Sequence, residues 1–268
     1  MFPLPMLRSL EVDQASIAGG LDSMDSRYAV RYHLAFMKNT ILRALNNIHT
    51  HALTLPRDDD PRLRAFFEYI VGVCDVIVLQ IDTDKHLFRT PVIAGVALEE
   101  LMGEGCVQDM RKVVKGANKL KELARKYAKR PERYESNEII ARLSFAGEFS
   151  ARSWAQLHFV DGRRLASACS EEEMRHGLQG IIASFLEKSD AAFLVPFIHS
   201  HHDRKTSTYW PPISSEDRIT VACLAKVHPR LWELAPFDVF TGRERGSQEA
   251  KTYPRAFTPA SSADNSQY

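Results

Sequence analysis

The sequence predicts an all-α fold, and three observations carry that prediction. Two long stretches, Asp25 to about Leu55 and Leu63 to about Phe88, repeat apolar residues every three and four positions, the period of an amphipathic helix. Helix-start signals open later runs: Ser136 with Glu138 close behind, and Ser170 with Glu173 at capping-box spacing. No internal repeat, heptad register or low-complexity tract interrupts this texture before residue 246.

In the first predicted helix Leu34, Ile41, Leu42, Leu45 and Ile48 share a face, and the stretch contains neither proline nor glycine. The charged turn PRDDDP, Pro56 to Pro61, leads into the second, where Phe66, Phe67, Ile70, Cys74, Ile77, Val78 and Ile81 line one broad face. Within it VGVCDVIVL has the look of a buried strand, but the helical pattern on both sides decides for helix. Gly103 and Gly105 interrupt the chain, after which Val107 to about Lys129 reads as a third helix with Met110, Val113, Val114, Ala117, Leu120 and Leu123 on its stripe. Ser136, as N-cap, opens a fourth that runs through Ile139, Leu143 and Phe149 toward Leu165. Ser170 opens a fifth to about Lys188. Beyond Asp190 the motifs FLVPFI, HSHHD, YWPP, VHPRLW and LAPFD are punctuated by proline, which predicts an irregular wrapping segment in place of long helices. The expected organisation is an N-terminal arm (1–24), a helical bundle (25–190), an extension packed on it (191–245) and a disordered polar tail (246–268).

Composition narrows the function classes. The 268 residues carry 35 Lys and Arg against 34 Asp and Glu, a net charge of +1, so no basic excess is present to neutralise a run of phosphates and nucleic-acid binding is not expected. A hydrophobic content of 44% without a membrane-length apolar run predicts a soluble protein with no membrane span. Cys74, Cys106, Cys169 and Cys223 form no CxxC pair and read as buried free thiols. The opening MFPLPMLRSLEVD has prolines and an acidic pair where a signal peptide needs a continuous apolar core, so an intracellular, cytoplasmic setting is expected. No GxxxxGKS, GxGxxG, GxSxG or HExxH occurs, which argues against nucleotide binding and standard hydrolase chemistry.

Three motifs carry a resemblance. KNTILRALNNIH (Lys38 to His49) resembles the first-helix motif of fungal hemerythrin-like proteins, QIDTDKHLFRTP (Gln80 to Pro91) the second, and VVKGANKLKELARKY (Val113 to Tyr127) the third. LVPFIHSHHD, YWPP and HPRLWELAPFD are similar to the C-terminal extension of those proteins, so the likeness spans roughly residues 28 to 240. It implies an up-and-down four-helix bundle with an additional helix and an irregular extension. In metal-binding members two irons sit between the helices on His and carboxylate ligands. This chain departs from the pattern: Lys38 occupies the first-helix His position, Ile81 and Lys85 fall where His and Glu stand, and Met110 and Val114 replace the third-helix His pair. His158 and Asp161 alone keep ligand-type chemistry, on one helix, so the resemblance implies a member with no metal and no cofactor.

Candidate residues follow from that departure. Lys38 and Lys85 lie on apolar stripes, and an inward lysine must be paired, have a lowered pKa or face a ligand, unless its stem snorkels to solvent. Gln80, Asp82 and Asp84 cluster around the same motif, while Asn39, Arg43 and Asn46 read as a structural hydrogen-bond network. His158 with Asp161 has the makings of an acid/base pair. HSHHD (His199, His201, His202, Asp203) falls short of the HxHxDH order of metallo-β-lactamase-like hydrolases and reads as extension residues with adventitious affinity for zinc or nickel.

The function expected is a metal-independent cyclase or isomerase of fungal secondary metabolism, a pericyclase (Diels-Alderase) included, folding an apolar polyketide or terpenoid inside the bundle. Its catalytic donors are Lys38, Lys85 and Gln80, and its substrate walls are Leu34, Leu42, Ile81, Met110, Val114 and His158. On this expectation Lys38→Met lowers turnover and leaves the fold intact. Two alternatives stay open: a di-iron oxygen or redox protein, and a non-catalytic small-molecule-binding or scaffold protein. Oligomeric state is not fixed by the sequence.

Overall fold

Asp25 starts the first helix of the computed structural model: its carboxylate accepts from the backbone N–H of Arg27 at 3.0 Å and pairs with the same residue's guanidinium, closing the open N-terminus of α1 (Ser26–Thr54). The structure describes residues 2–7, 24–55, 61–93, 95–206, 210–211 and 215–245; the tail 246–268 and most of the N-terminal arm lie outside them. The described part of the arm lies along α1. Asn39 and Asn46, two turns apart, clamp it by paired amide bonds to the backbones of Leu7 (2.7 and 2.9 Å) and Leu4 (2.6 and 3.0 Å). The network read from Asn39, Arg43 and Asn46 is thus structural, with Arg43 reaching the carbonyl of His201 at 3.2 Å.

Among the described residues the fold is all-α apart from one small hairpin and a single antiparallel bridge between Phe237 and Glu244. α2 (Pro61–Arg89) includes the whole VGVCDVIVL run as helix and buries Phe66, Phe67, Ile70, Cys74 and Ile77. Strands β1 (Pro91–Ile93) and β2 (Val96–Ala97) pair antiparallel about Gly95, whose φ of +82° suits a residue without Cβ, and α3 (Leu98–Met102) follows. This hairpin was not expected from the sequence. The third predicted helix begins at Arg111, not Val107, as α4 (Arg111–Lys129), with Val113, Ala117, Leu120, Leu123 and Tyr127 buried.

The fourth predicted helix is three. α5 (Ser136–Arg142) passes through a 3-10 turn, Leu143–Phe145, into α6 (Ala146–Phe159), and α7 (Gly162–Ala168) restarts after Asp161 accepts from Arg163 N–H at 2.9 Å as N-cap. Ser136 is the first helical residue and not the cap, because Glu135 takes the flanking position. The Ser170–Glu173 capping box is formed and opens α8 (Glu171–Glu187). The extension is more helical than proline punctuation predicts. α9 (Ala191–His201) holds Pro196 in its second turn, where proline removes one backbone bond while Phe193, Leu194 and Phe197 bury around it; α10 (Ser215–Ala225) and the short α11 (Pro229–Trp232) follow.

α1 packs on α2, α2 on α4, α4 on α5 and α6, and α5 and α6 return to α1, enclosing one core. The rings of Phe67, Tyr127 and Tyr134 meet there at centroid distances of 5.4 to 5.6 Å. α8 and α9 both lie against α1, α8 also against α2, and α10 lies against α9. No described helix is long and apolar enough to cross a membrane. All four cysteines are free, Cys74, Cys106 and Cys169 buried as expected and Cys223 exposed against expectation on α10, where the preceding Val221 faces inward.

Candidate functional site

Gln80 and Asp84 stand one helical turn apart on α2, so their side chains meet on one face. The Gln80 Nε2 amide donates to Asp84 Oδ1 at 2.6 Å, and the fully buried Lys38 of α1 donates its ammonium to Oδ2. Each carboxylate oxygen is therefore held by one donor. An ammonium and a carboxylate buried together offset each other's lost hydration, which neither does alone. Of the routes open to an inward lysine, Lys38 takes pairing.

Asp84 stands between two spaces of very different size. On the bundle side it meets a void of about 10 Å³ bordered by Ile81, Lys85, Val107, Gln108, Met110 and Gln156, room for about one water molecule and for no organic ligand. On the other side Gln80 and Asp84 form part of a cleft of about 460 Å³ between α1, α2, α8, α9 and α10, within the size range of small-molecule sites. Its walls are apolar: Leu34 and Met37 from α1, Ile181 and Phe185 from α8, Ile198 from α9, Leu224 from α10, with the Trp210 ring beside them. The polar lining is His33, Gln80, Thr83, Asp84, His199 and Thr220.

His199 enters this cleft from α9. Burial pushes its imidazole down to about 4, with the nearby charges of Arg204, His202 and Arg218 acting the same way, so the ring is neutral at pH 7. Its neighbours in HSHHD go elsewhere, because consecutive helical residues are turned about 100° apart. His201 is fully buried against Tyr69, whose hydroxyl donates to Nε2, while Nδ1–H donates to the carbonyl of Phe197 at 2.8 Å. His202 packs at the helix end against Phe36 and Trp210, centroids 5.5 and 4.9 Å away. Asp203 faces Arg43 at 3.8 Å. The adventitious metal site expected of this motif is not assembled: among the described residues no three His, Cys, Asp or Glu side chains converge.

The structure brings some sequence-predicted site residues together and separates others. Lys38 and Gln80 meet on Asp84, and Gln80 and Leu34 line the cleft. Lys85 is turned away, half-buried between the void and a shallow outer groove that it shares with Val114, Arg111 and Lys115. Ile81 and Met110 border the void, and Leu42 is buried in the core with no face to either space. His158 is exposed and its Nδ1–H donates to the Trp154 carbonyl at 2.8 Å, while Asp161 caps α7, so they do not form an acid/base pair. The substrate walls expected at Leu42, Ile81, Met110, Val114 and His158 are corrected accordingly, and so is the place: side chains fill the space between α1, α2, α4 and α6, and the cleft lies on the other side of Asp84.

The α8 row Leu178, Ile181, Ile182, Phe185 and Leu186, and the Trp210–Pro211 pair, are cleft residues that are not among those expected from the sequence. Their signal was present in GLQGIIASFLEK, where Ile182 and Leu186 are 48% and 44% exposed, a lipophilic helix face left open at the cleft mouth.

The residues at the ligand positions that the hemerythrin-like resemblance would assign do not suit a di-iron centre. Lys38 offers an ammonium engaged with Asp84, Ile81 and Met110 offer packing, and the Asp84 carboxylate is already bonded on both oxygens. Comparisons with protein-family models, curated proteins and solved structures find no match to this chain.

Proposed function

We propose that this protein is a metal-independent cyclase or isomerase that folds an apolar, acyclic substrate of polyketide or terpenoid class in the cleft between α1, α2, α8, α9 and α10. One observation carries the reading: a cleft of about 460 Å³ whose walls are aliphatic and aromatic, with an amide and a carboxylate held rigidly by a buried lysine at its floor. Such a site has the two things a cyclisation without cofactor needs. Its walls hold a flexible chain with the reacting carbons close together, and a fixed donor meets charge that develops on a substrate oxygen.

Gln80 is the catalytic residue of this reading. One Nε2–H is used on Asp84, and the second is free to donate to the substrate oxygen. Lys38 is a positioning residue, since its ammonium acts through Asp84 and does not line the cleft. His199 contributes a neutral imidazole to the wall. The ring of packing through α1, α2, α4 and α5–α6 supports the further reading of a hemerythrin-like four-helix bundle whose metal position is filled by Lys38 and apolar side chains, and the fungal resemblance supports a place in secondary metabolism.

The test is incubation of the full chain with a panel of acyclic polyenes, followed by chromatography and mass spectrometry. A product of altered retention and unchanged mass is expected, undiminished by chelator and removed by Leu224→Trp, which fills the cleft. Conversion that Leu224→Trp leaves intact moves the site elsewhere. Binding without conversion makes the protein a carrier, and about two irons per chain by plasma mass spectrometry restores the redox class.

A further inference from the structure

The polar groups of the cleft also define which ligand it takes. Asp84 accepts one bond on each oxygen, from Lys38 and from Gln80, and an ionised carboxylate has about four acceptor positions, so about two remain. Gln80 Oε1 and the ring nitrogens of His199 take part in no hydrogen bond with any described residue, and both residues line the cleft. A ligand that fills this space expels water from a carboxylate. Unless it brings a donor of its own, it leaves that acceptor dry, at a cost greater than a neutral hydrogen bond returns.

Charge narrows the ligand further. Among the described residues no lysine or arginine lines the cleft, and the one ammonium beneath it is already paired. Arg204 and Arg218 act on His199 from outside the described lining, so an anionic head group would sit against Asp84 with no cation among the described lining residues, and a cationic one would lose hydration beside a carboxylate whose charge Lys38 already balances. From these groups we infer that the cleft takes an uncharged alcohol or enol on an apolar chain. Its O–H donates to Asp84, and the same oxygen accepts the second N–H of Gln80. The inference rests on the cleft being the substrate site and narrows the substrate oxygen to a hydroxyl.

Matched ligands test it by titration of the full chain at pH 7.5, read by calorimetry and by tryptophan fluorescence, since Trp210 borders the cleft. Farnesol, its methyl ether and farnesoic acid share one chain and differ only in the head group. The alcohol is expected to bind at least about tenfold more tightly than the ether, the scale of one charge-assisted hydrogen bond, and more tightly than the acid. Equal affinity for alcohol and ether, or preference for the acid, overturns the inference while the cleft remains a binding site. No binding by any of the three overturns both readings.

A variant locates the effect. Asp84→Asn alone strands the Lys38 charge, so it is paired with Lys38→Met, and in the folded double variant the preference of alcohol over ether is expected to vanish. A preference that persists there removes Asp84 as the acceptor. If the double variant does not fold, the three ligands on the unaltered chain decide.

Discussion

At the scale of single residues, the informative group is a lysine with no exposed surface. Lys38 on an apolar stripe reads equally well as a catalytic donor or a snorkelling surface group, and periodicity does not choose between them, because the choice depends on what α2 places opposite. The structure places Asp84 there, and this alters the consequence of substitution. The fold-neutral Lys38→Met expected from sequence gives way to a destabilising one: the Asp84 carboxylate is left buried with the Gln80 amide alone, at about 3 to 5 kcal/mol. Asp84→Leu in the same background removes the stranded charge and is expected to recover most of the loss. Urea unfolding of the two single variants and the double gives the coupling directly. Additive losses would mean that the two charges do not interact across α1 and α2.

At the scale of elements, the sequence disclosed what repetition encodes and missed what single contacts decide. α1, α2, α4 and α8 were readable because each keeps an apolar face over many turns, and the Ser170–Glu173 box marks its start in four letters. The break between α6 and α7 was also written, as Asp161 before Gly162, but an apolar pattern carried through it hides a cap. Pro196 misled in the opposite direction, since burial of the surrounding phenylalanines outweighs one lost backbone bond. The joint between α2 and α9 depends on a missing side chain: a Cβ on Gly72 would lie 2.3 Å from the Phe193 ring, which is hemmed in by Trp232 and Phe197 at 5.4 and 5.7 Å. Gly72→Ala gains about 1 kcal/mol of helix propensity. The overpacking it creates costs about 1 to 3 kcal/mol, so a net fall in thermal midpoint is expected. An unchanged or raised midpoint would show that Phe193 yields freely.

For the whole molecule, the cleft and the stability share a cause, the burial of neutral imidazoles by segments distant in sequence. Nothing in the period of α1 or α2 says that α8, α9 and α10 will stand over Gln80 and Asp84, so the residues of the floor and the α1 wall residue Leu34 are nameable from sequence and the walls from α8, α9 and α10 are not. Burial also holds His199 and His201 of α9, pushed down to about 4 and about 3 chiefly by loss of hydration, and lowers His51, which lies against Phe66 of α2 and bonds the Leu234 carbonyl beyond α11. Each has an ordinary value of 6.5, so the unfolded chain binds more protons than the folded one once the pH drops below that value. Stability is therefore complete above about pH 6.5 and falls as the pH is lowered toward 4, by about 1.4 kcal/mol per pH unit for each proton of difference. Asp25, held below its ordinary 3.8 by its bond to Arg27, adds its own loss only at still lower pH, which separates the two effects. Urea midpoints measured from pH 7 to pH 4.5 are expected to hold at first and to decline steadily below about pH 6.5. His199→Gln, which keeps a polar group in the wall and removes one titrating ring, is expected to lower that slope by about one proton; a slope unchanged by the substitution would mean that His199 is as easily protonated in the folded chain as in the unfolded one, and that the cleft wall admits water to it.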